Sequence, residues 1–212
     1  MGTDTPVGLL ALLLVMLLAL YAAFHTWYGG RGRPLSADEI EDFMRQLAGN
    51  ATPDSHQAEL LDSVRQLVAK DDGREFVMQN LVRYRARALY PAGYSYNDDP
   101  RAADQRYGKA IVPHLLRCGS LPIFIAKRSG SFLEPDGADS WHYVAMVRYR
   151  SKRDFLRFAL RIEQQDVAVH KWAAIEKTHV FPVQPIVSLL VVRSAVAAVL
   201  LTLGLTLALL LR

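Results

Sequence analysis

Cysteine occurs once in the 212 residues, at Cys118. No internal disulfide and no paired-cysteine metal site can therefore form. The chain also lacks a phosphate loop, a dinucleotide fingerprint, a nucleophile elbow and an HExxH pair. Charge is scarce in two long stretches. Residues 6–28 hold no Asp, Glu, Lys or Arg, and residues 186–211 hold only Arg193. These absences exclude a disulfide-stapled scaffold and leave no signature of the common nucleotide-dependent enzymes. What is present instead is a polar middle between two apolar ends.

Each apolar run is long enough to cross a hydrocarbon core of about 30 Å at about 1.5 Å per residue. Neither shows the polar face of a soluble helix. The sequence predicts transmembrane helices over 6–28 and 186–211. The opening MGTDT carries Asp4 and no basic residue, which disfavours a cleaved signal peptide. Arg31 and Arg33 follow the first run, and Arg193 lies near the start of the second. The positive-inside bias then places the middle of the chain in the cytoplasm and both tails outside. A single unpaired cysteine agrees with a reducing compartment.

The middle region opens with a predicted helical hairpin over 34–73. Its first helix starts at a Ser36/Glu39 capping box and lines up Ile40, Phe43, Met44 and Leu47. The second starts at Thr52–Pro53 and carries Leu60, Leu61, Val64, Leu67 and Val68. Residues 74–185 then alternate. EFVMQNLVRYR reads as a strand, and DPRAADQRYGKAIVPHLLRCG as a helix stopped at Gly119 and kinked at Pro113. LPIFIAKRSG and SWHYVAMVRYR read as strands around a turn at 133–140. SKRDFLRFALRIEQQ is a helix with a Ser151/Asp154 capping box, extended by DVAVHKWAAIEKT. HVFPVQP (179–185) is a short last strand whose Pro182 suits a sheet edge. The order is strand–helix–strand twice over, an α+β class with the ferredoxin-like βαββαβ pattern. The tetrapeptide VRYR occurs at 82–85 and again at 147–150. In a fold of two equivalent halves, both copies end central strands, expected here to be parallel.

FVMQNLVRYRARALYPAG, RYGKAIVPHLLRCG, WHYVAMVRYRSKRDFLRFA and HKWAAIEKTHVFPVQP resemble the dimeric α/β-barrel superfamily, and most of all its small bacterial domains of unknown function. The resemblance covers about residues 75–185 and rests on strand endings and helix starts. It implies a homodimer paired sheet to sheet around a cleft for a small ligand; its bacterial members together with the two predicted spans set the expected location at a bacterial inner membrane. Some branches of the superfamily are monooxygenases, isomerases or haem enzymes. Two membrane anchors and a helical hairpin depart from its usual members, as does Arg150 where relatives often carry a proline.

Two sets of residues are candidates for function. Parallel central strands would gather Arg83, Arg85, Arg87, Arg148, Arg150, Lys152 and Arg153 at one sheet edge facing away from the bilayer. Such a cluster suits an anionic small molecule or an acidic protein surface. The second set is Asn80, Tyr84, Tyr107, Trp141, His142, Tyr143, Tyr149 and His170, an aromatic wall with polar hooks. His142, Tyr107 and His170 are its candidate proton carriers. Glu163, Asp166, His170 and His179 lack the spacing of a metal site. A haem would need His142 or His170 as its axial ligand, and nothing selects either. No cofactor, metal or nucleic-acid partner is expected; a net charge of +4 with no reading motif argues against the last. The expected function is a membrane-anchored ligand-binding or protein-interaction module. A tethered enzyme acting on a small apolar substrate and an accessory subunit of a larger membrane complex are the alternatives.

Overall fold

A computed structural model describes residues 4–29, 32–50, 55–186 and 192–210. In chain order its elements are α1 (Asp4–Gly29), α2 (Ala37–Asn50), α3 (Ser55–Val68), β1 (Phe76–Tyr84), α4 (Pro100–Arg117), β2 (Leu121–Lys127), β3 (Tyr143–Tyr149), α5 (Lys152–Gln164), α6 (Ala168–Ala174), β4 (Ile175–Val183) and α7 (Val192–Leu210). They form two compact units. One joins 1–31 to 186–212, and the other spans 32–185.

In the first unit α1 and α7 are both long and apolar enough to cross a membrane. They run antiparallel. The Arg193 guanidinium lies over the Tyr28 ring at 5.1 Å. Further along both helices Gly204 meets Leu17, where a Cβ would come within 2.7 Å of the Leu17 side chain. The expected start of the second span at 186 cannot be compared, because 187–191 lie outside the described residues.

The second unit is built on a four-stranded sheet in the order β2-β3-β1-β4. Every neighbouring pair is antiparallel, with Phe76 opposite Tyr149 and Val82 opposite Tyr143 in the central pair. This corrects the expectation of parallel central strands. The helix after β1 returns the chain so that β2 points along β1, and the β2–β3 hairpin then reverses β3. The two VRYR segments therefore lie at opposite ends of the sheet.

Alternation assigns the faces. Phe76, Met78, Val147 and Tyr149 pack with Leu115 of α4, Cys118 just beyond its end, and Phe158 and Ile162 of α5. The opposite face carries Gln79, Leu81, Val144, Met146, Phe124 and Phe181, all accessible to some degree. A second core cluster joins Met44, Leu47, Val64 and Val68 of α2 and α3 to Leu156 and Leu160 of α5.

Polar ties hold the helical hairpin in place. The Ser36/Glu39 box forms, with Glu39 N donating to Ser36 Oγ at 3.2 Å and Ser36 N to the Glu39 carboxylate at 2.9 Å. Arg153 reaches from α5 to Glu39 at 3.0 Å and to the carbonyls of Arg33 and Pro34. Gly73 adopts φ +72, and a Cβ there would lie 2.6 Å from the backbone of Arg33. Only glycine suits both conditions. The predicted Thr52–Pro53 helix start lies outside the described residues.

One boundary differs from expectation. Residues 175–178 read as a continuation of a helix, but β4 already begins at Ile175. The gain is a ladder with β1 from Val77 to Tyr84, with one register shift between Arg83 and Tyr84, and tertiary pairing here overrides local propensity.

Candidate functional site

The site forms where β1 ends. Beyond Tyr84 the chain crosses to α4, whose first turn is capped by Asp99 accepting from Arg101 N at 2.9 Å, with Pro100 at the first helical positions. Four residues into the helix stands Asp104. Tyr84 Oη donates to Asp104 Oδ2 at 2.8 Å, and Tyr143 Oη donates to Oδ1 at 3.2 Å. Tyr84 and Tyr143 come from the two central strands, with ring centres 5.5 Å apart. One helical carboxylate thus clamps the ends of β1 and β3.

Helix α6 packs along α4 and completes the cluster. Its Lys171 ammonium lies 5.9 Å from the centre of the Tyr107 ring and 5.0 Å from that of Trp172. On the other side of Tyr84, its backbone N–H donates to His142 Nδ1 at 2.9 Å. The neutral His142 ring therefore carries its hydrogen on Nε2.

Charge and burial tune these groups. Burial, then the Asp104 carboxylate, pushes the Tyr143 hydroxyl well above its ordinary range. Tyr84 and Tyr107 move the same way for the same reasons. All three remain protonated at neutral pH, and Tyr84 and Tyr143 donate to Asp104. Burial pulls the Lys171 amine below its ordinary range, and the Asp104 charge only partly opposes this.

An aromatic cluster adjoins the site. In the β1–α4 connection Tyr94 stacks on Tyr90 and Tyr96, Tyr90 and Tyr96 meet at a tilt, and both of these meet the His170 ring edge-on. Arg106 lies over Tyr96 at 4.7 Å and donates to Tyr90 Oη at 3.3 Å, while Tyr90 Oη meets His170 Nδ1 at 2.9 Å. Burial, followed by the Arg106 charge, lowers the His170 pKa against the pull of Asp166.

The structure thus brings Tyr84, Tyr107, Tyr143 and His142 together and places His170 next door. It separates the arginines. At this end Arg83 pairs with Asp139 at 3.5 Å and Glu176 at 3.1 Å, Arg85 donates to the Trp172 carbonyl at 3.4 Å, and Arg87 pairs with Asp98. At the other end Arg148 pairs with Glu75 and donates to the Gly119 carbonyl at 2.8 Å. There Arg150 grips Asp154 at 2.7 and 2.8 Å, and Lys152 donates to the Lys70 carbonyl at 2.5 Å. The expected single cluster does not form, because antiparallel strands send their endings apart. Tyr149 is also no wall of a cleft: it is buried against Phe76, Phe155 and Phe158. Asn80 turns its amide to the strand carbonyls of Met78 and Ala145. Trp141 is partly buried just ahead of β3.

Asp104, Lys171, Tyr90, Tyr96 and Arg106 were not singled out by the sequence. The available signal was modest: Asp104 and Tyr107 stand three apart on a helix, and the connection reads YPAGYSY. Among the described residues no group of three or more His, Cys, Asp or Glu is placed to hold a metal ion.

Two solved structures share the fold. One is the crystal structure of methylated RPA0582 protein, 24% identical, with a TM-score of 0.53, covering 64% of this chain and 94% of that one. The other is the RPA0582 protein of unknown function from Rhodopseudomonas palustris, 23% identical, with a TM-score of 0.53, covering 65% and 97%. No family model matches the chain, and no curated protein does so significantly.

Proposed function

We propose that this chain is a membrane-anchored, cytoplasm-facing module that binds a small ligand beside Asp104 and pairs with a second copy through the open sheet face. The observation that carries the ligand reading is the convergence of Tyr84 and Tyr143 on Asp104, with an aromatic-cradled amine, Lys171, opposite Tyr107. Few polar groups set among aromatic walls are the usual make-up of a small-molecule site. The order β2-β3-β1-β4 with two strand–helix–strand halves supports ferredoxin-like topology. The accessible Leu81, Val144, Met146, Phe124 and Phe181 support pairing through the sheet, as in the dimeric α/β-barrel superfamily. Helices α1 and α7, with Arg31 and Arg33 after the first, support a bacterial inner membrane crossed twice.

Native mass spectrometry of the full-length protein, released from membranes in detergent, tests this reading. A dimer carrying a discrete extra mass supports it. A bare monomer at concentrations near those in the membrane overturns both parts.

A tethered enzyme is the second reading. The exposed His142 ring beside Tyr84 favours it, because an imidazole there can exchange protons with a bound molecule.

A further inference from the structure

We propose that Lys171 is a covalent ligand-binding residue, whose amine condenses with the carbonyl carbon of a small aromatic aldehyde or ketone held between α4 and α6. The inference rests on the Asp104 cluster being the ligand site, and it adds the chemical class of the ligand.

Comparison with the other lysines singles Lys171 out. The chain has six. Lys70, Lys109, Lys127 and Lys177 are exposed, and Lys177 also pairs with Asp139 at 2.6 Å. Lys152 is buried and spends its ammonium on the Lys70 carbonyl. Lys171 is half-buried against the faces of Tyr107 and Trp172. Among the described residues no carboxylate and no hydrogen-bond acceptor engages its amine. The anion that acts on it is Asp104, whose two oxygens already accept from Tyr84 and Tyr143.

Such surroundings suit imine formation. An ammonium is no nucleophile, and burial without an ion pair disfavours the charged form, against the attraction of the two ring faces for a cation. The lowered Lys171 pKa agrees with this placement. The Tyr107 and Trp172 rings that cradle the amine would also flank an aromatic substituent on the carbonyl. Chemically, the nitrogen lone pair attacks the carbonyl carbon, and a C–N bond forms as the C=O π pair moves to oxygen. The two amine hydrogens leave with that oxygen as water, and a C=N bond remains. Nothing is oxidised or reduced, and no further reactant is required.

The test uses full-length protein in detergent, benzaldehyde and cyanoborohydride, which reduces an imine to a stable benzyl-amine. Peptide mapping then locates the label. We expect Lys171 to be labelled about tenfold faster than any of the exposed lysines, and Lys171→Arg to lose that fast phase while keeping its circular dichroism. Labelling of Lys171 no faster than the exposed lysines overturns the proposal. Benzyl alcohol, which forms no imine, separates the two levels of inference. If it shifts Tyr107 and Lys171 side-chain resonances while Lys171 stays unlabelled, the imine is wrong and the site stands. If it shifts nothing and Lys171 stays unlabelled, both are wrong.

Discussion

Tyr84 and Asp104 are joined by a hydrogen bond of 2.8 Å that ties the end of β1 to the first turns of α4. It is charge-assisted, part-buried and long-range in sequence. Removing the hydroxyl leaves the carboxylate with Tyr143 alone. Tyr84→Phe should therefore destabilise the central unit by about 1.5–3 kcal/mol, in the range for bonds to charged groups. Tyr143→Phe, which breaks a longer bond of 3.2 Å, should cost less. Urea unfolding of both variants ranks them, and the reverse order would mean that Asp104 is held chiefly from β3.

Arg148 supplies a contrasting prediction. It is 4% exposed, pairs with Glu75 and donates to the Gly119 carbonyl. Its task is to join β3, the α4–β2 turn and the residue before β1. Arg148→Met should therefore lower stability by about 1.5–3 kcal/mol, the range for hydrogen bonds made by a charged group, because the exposed Glu75 carboxylate left behind is rehydrated. Ligand binding by the fraction that remains folded should be unchanged. Loss of binding at unchanged stability would return Arg148 to the list of ligand contacts.

Which features were legible in the sequence follows from how local their causes are. The Ser36/Glu39 and Ser151/Asp154 boxes were readable because each closes within four residues. The helix–strand order was readable from apolar periodicity. The relative direction of β1 and β3 was not, since two identical VRYR endings look alike whichever way the strands run. Register with Val77 opposite Arg148 decides it. Nothing in the sequence distinguishes Asp104 from an acid on a solvated helix, or Lys171 from a surface lysine beside a tryptophan. Only the packing of α4 on α6 sets Lys171 over the Tyr107 ring.

The docking of the helical hairpin depends on pH through Glu39. The Ser36 backbone N–H, followed by Arg153, holds the Glu39 carboxyl down to about 2 from its ordinary 4.5. A folded-state pKa below the unfolded one means that the carboxylate stabilises the fold above about pH 4.5 and loses that contribution as the pH falls toward 2. Glu39→Gln should lower the melting temperature in the neutral range and converge on wild type as the pH falls toward 2, flattening the fall over that window. An identical acid profile in wild type and variant would show that the Glu39–Arg153 tie does not hold the hairpin.

Gly73 should tolerate no side chain. Its φ of +72 and the 2.6 Å approach to the Arg33 backbone act together. Gly73→Ala should cost about 1–3 kcal/mol from backbone strain, with the clash added. Hydrogen exchange should show faster opening of α2 and α3 while β1 and β3 stay protected. Uniform loss of protection across the unit would mean that the hairpin is part of the same cooperative core.

The most direct test of the account compares ligand retention in three proteins: wild type, the double variant Tyr84→Phe/Tyr143→Phe, and Arg83→Gln, whose side chain pairs with Asp139 and Glu176 at the same end of the sheet. Each is purified full-length from membranes and weighed intact under native conditions. The account predicts a discrete added mass on wild type and Arg83→Gln that is absent from the folded double variant. An added mass that survives the double substitution but disappears with Arg83→Gln would contradict it and move the site from Asp104 to the arginine.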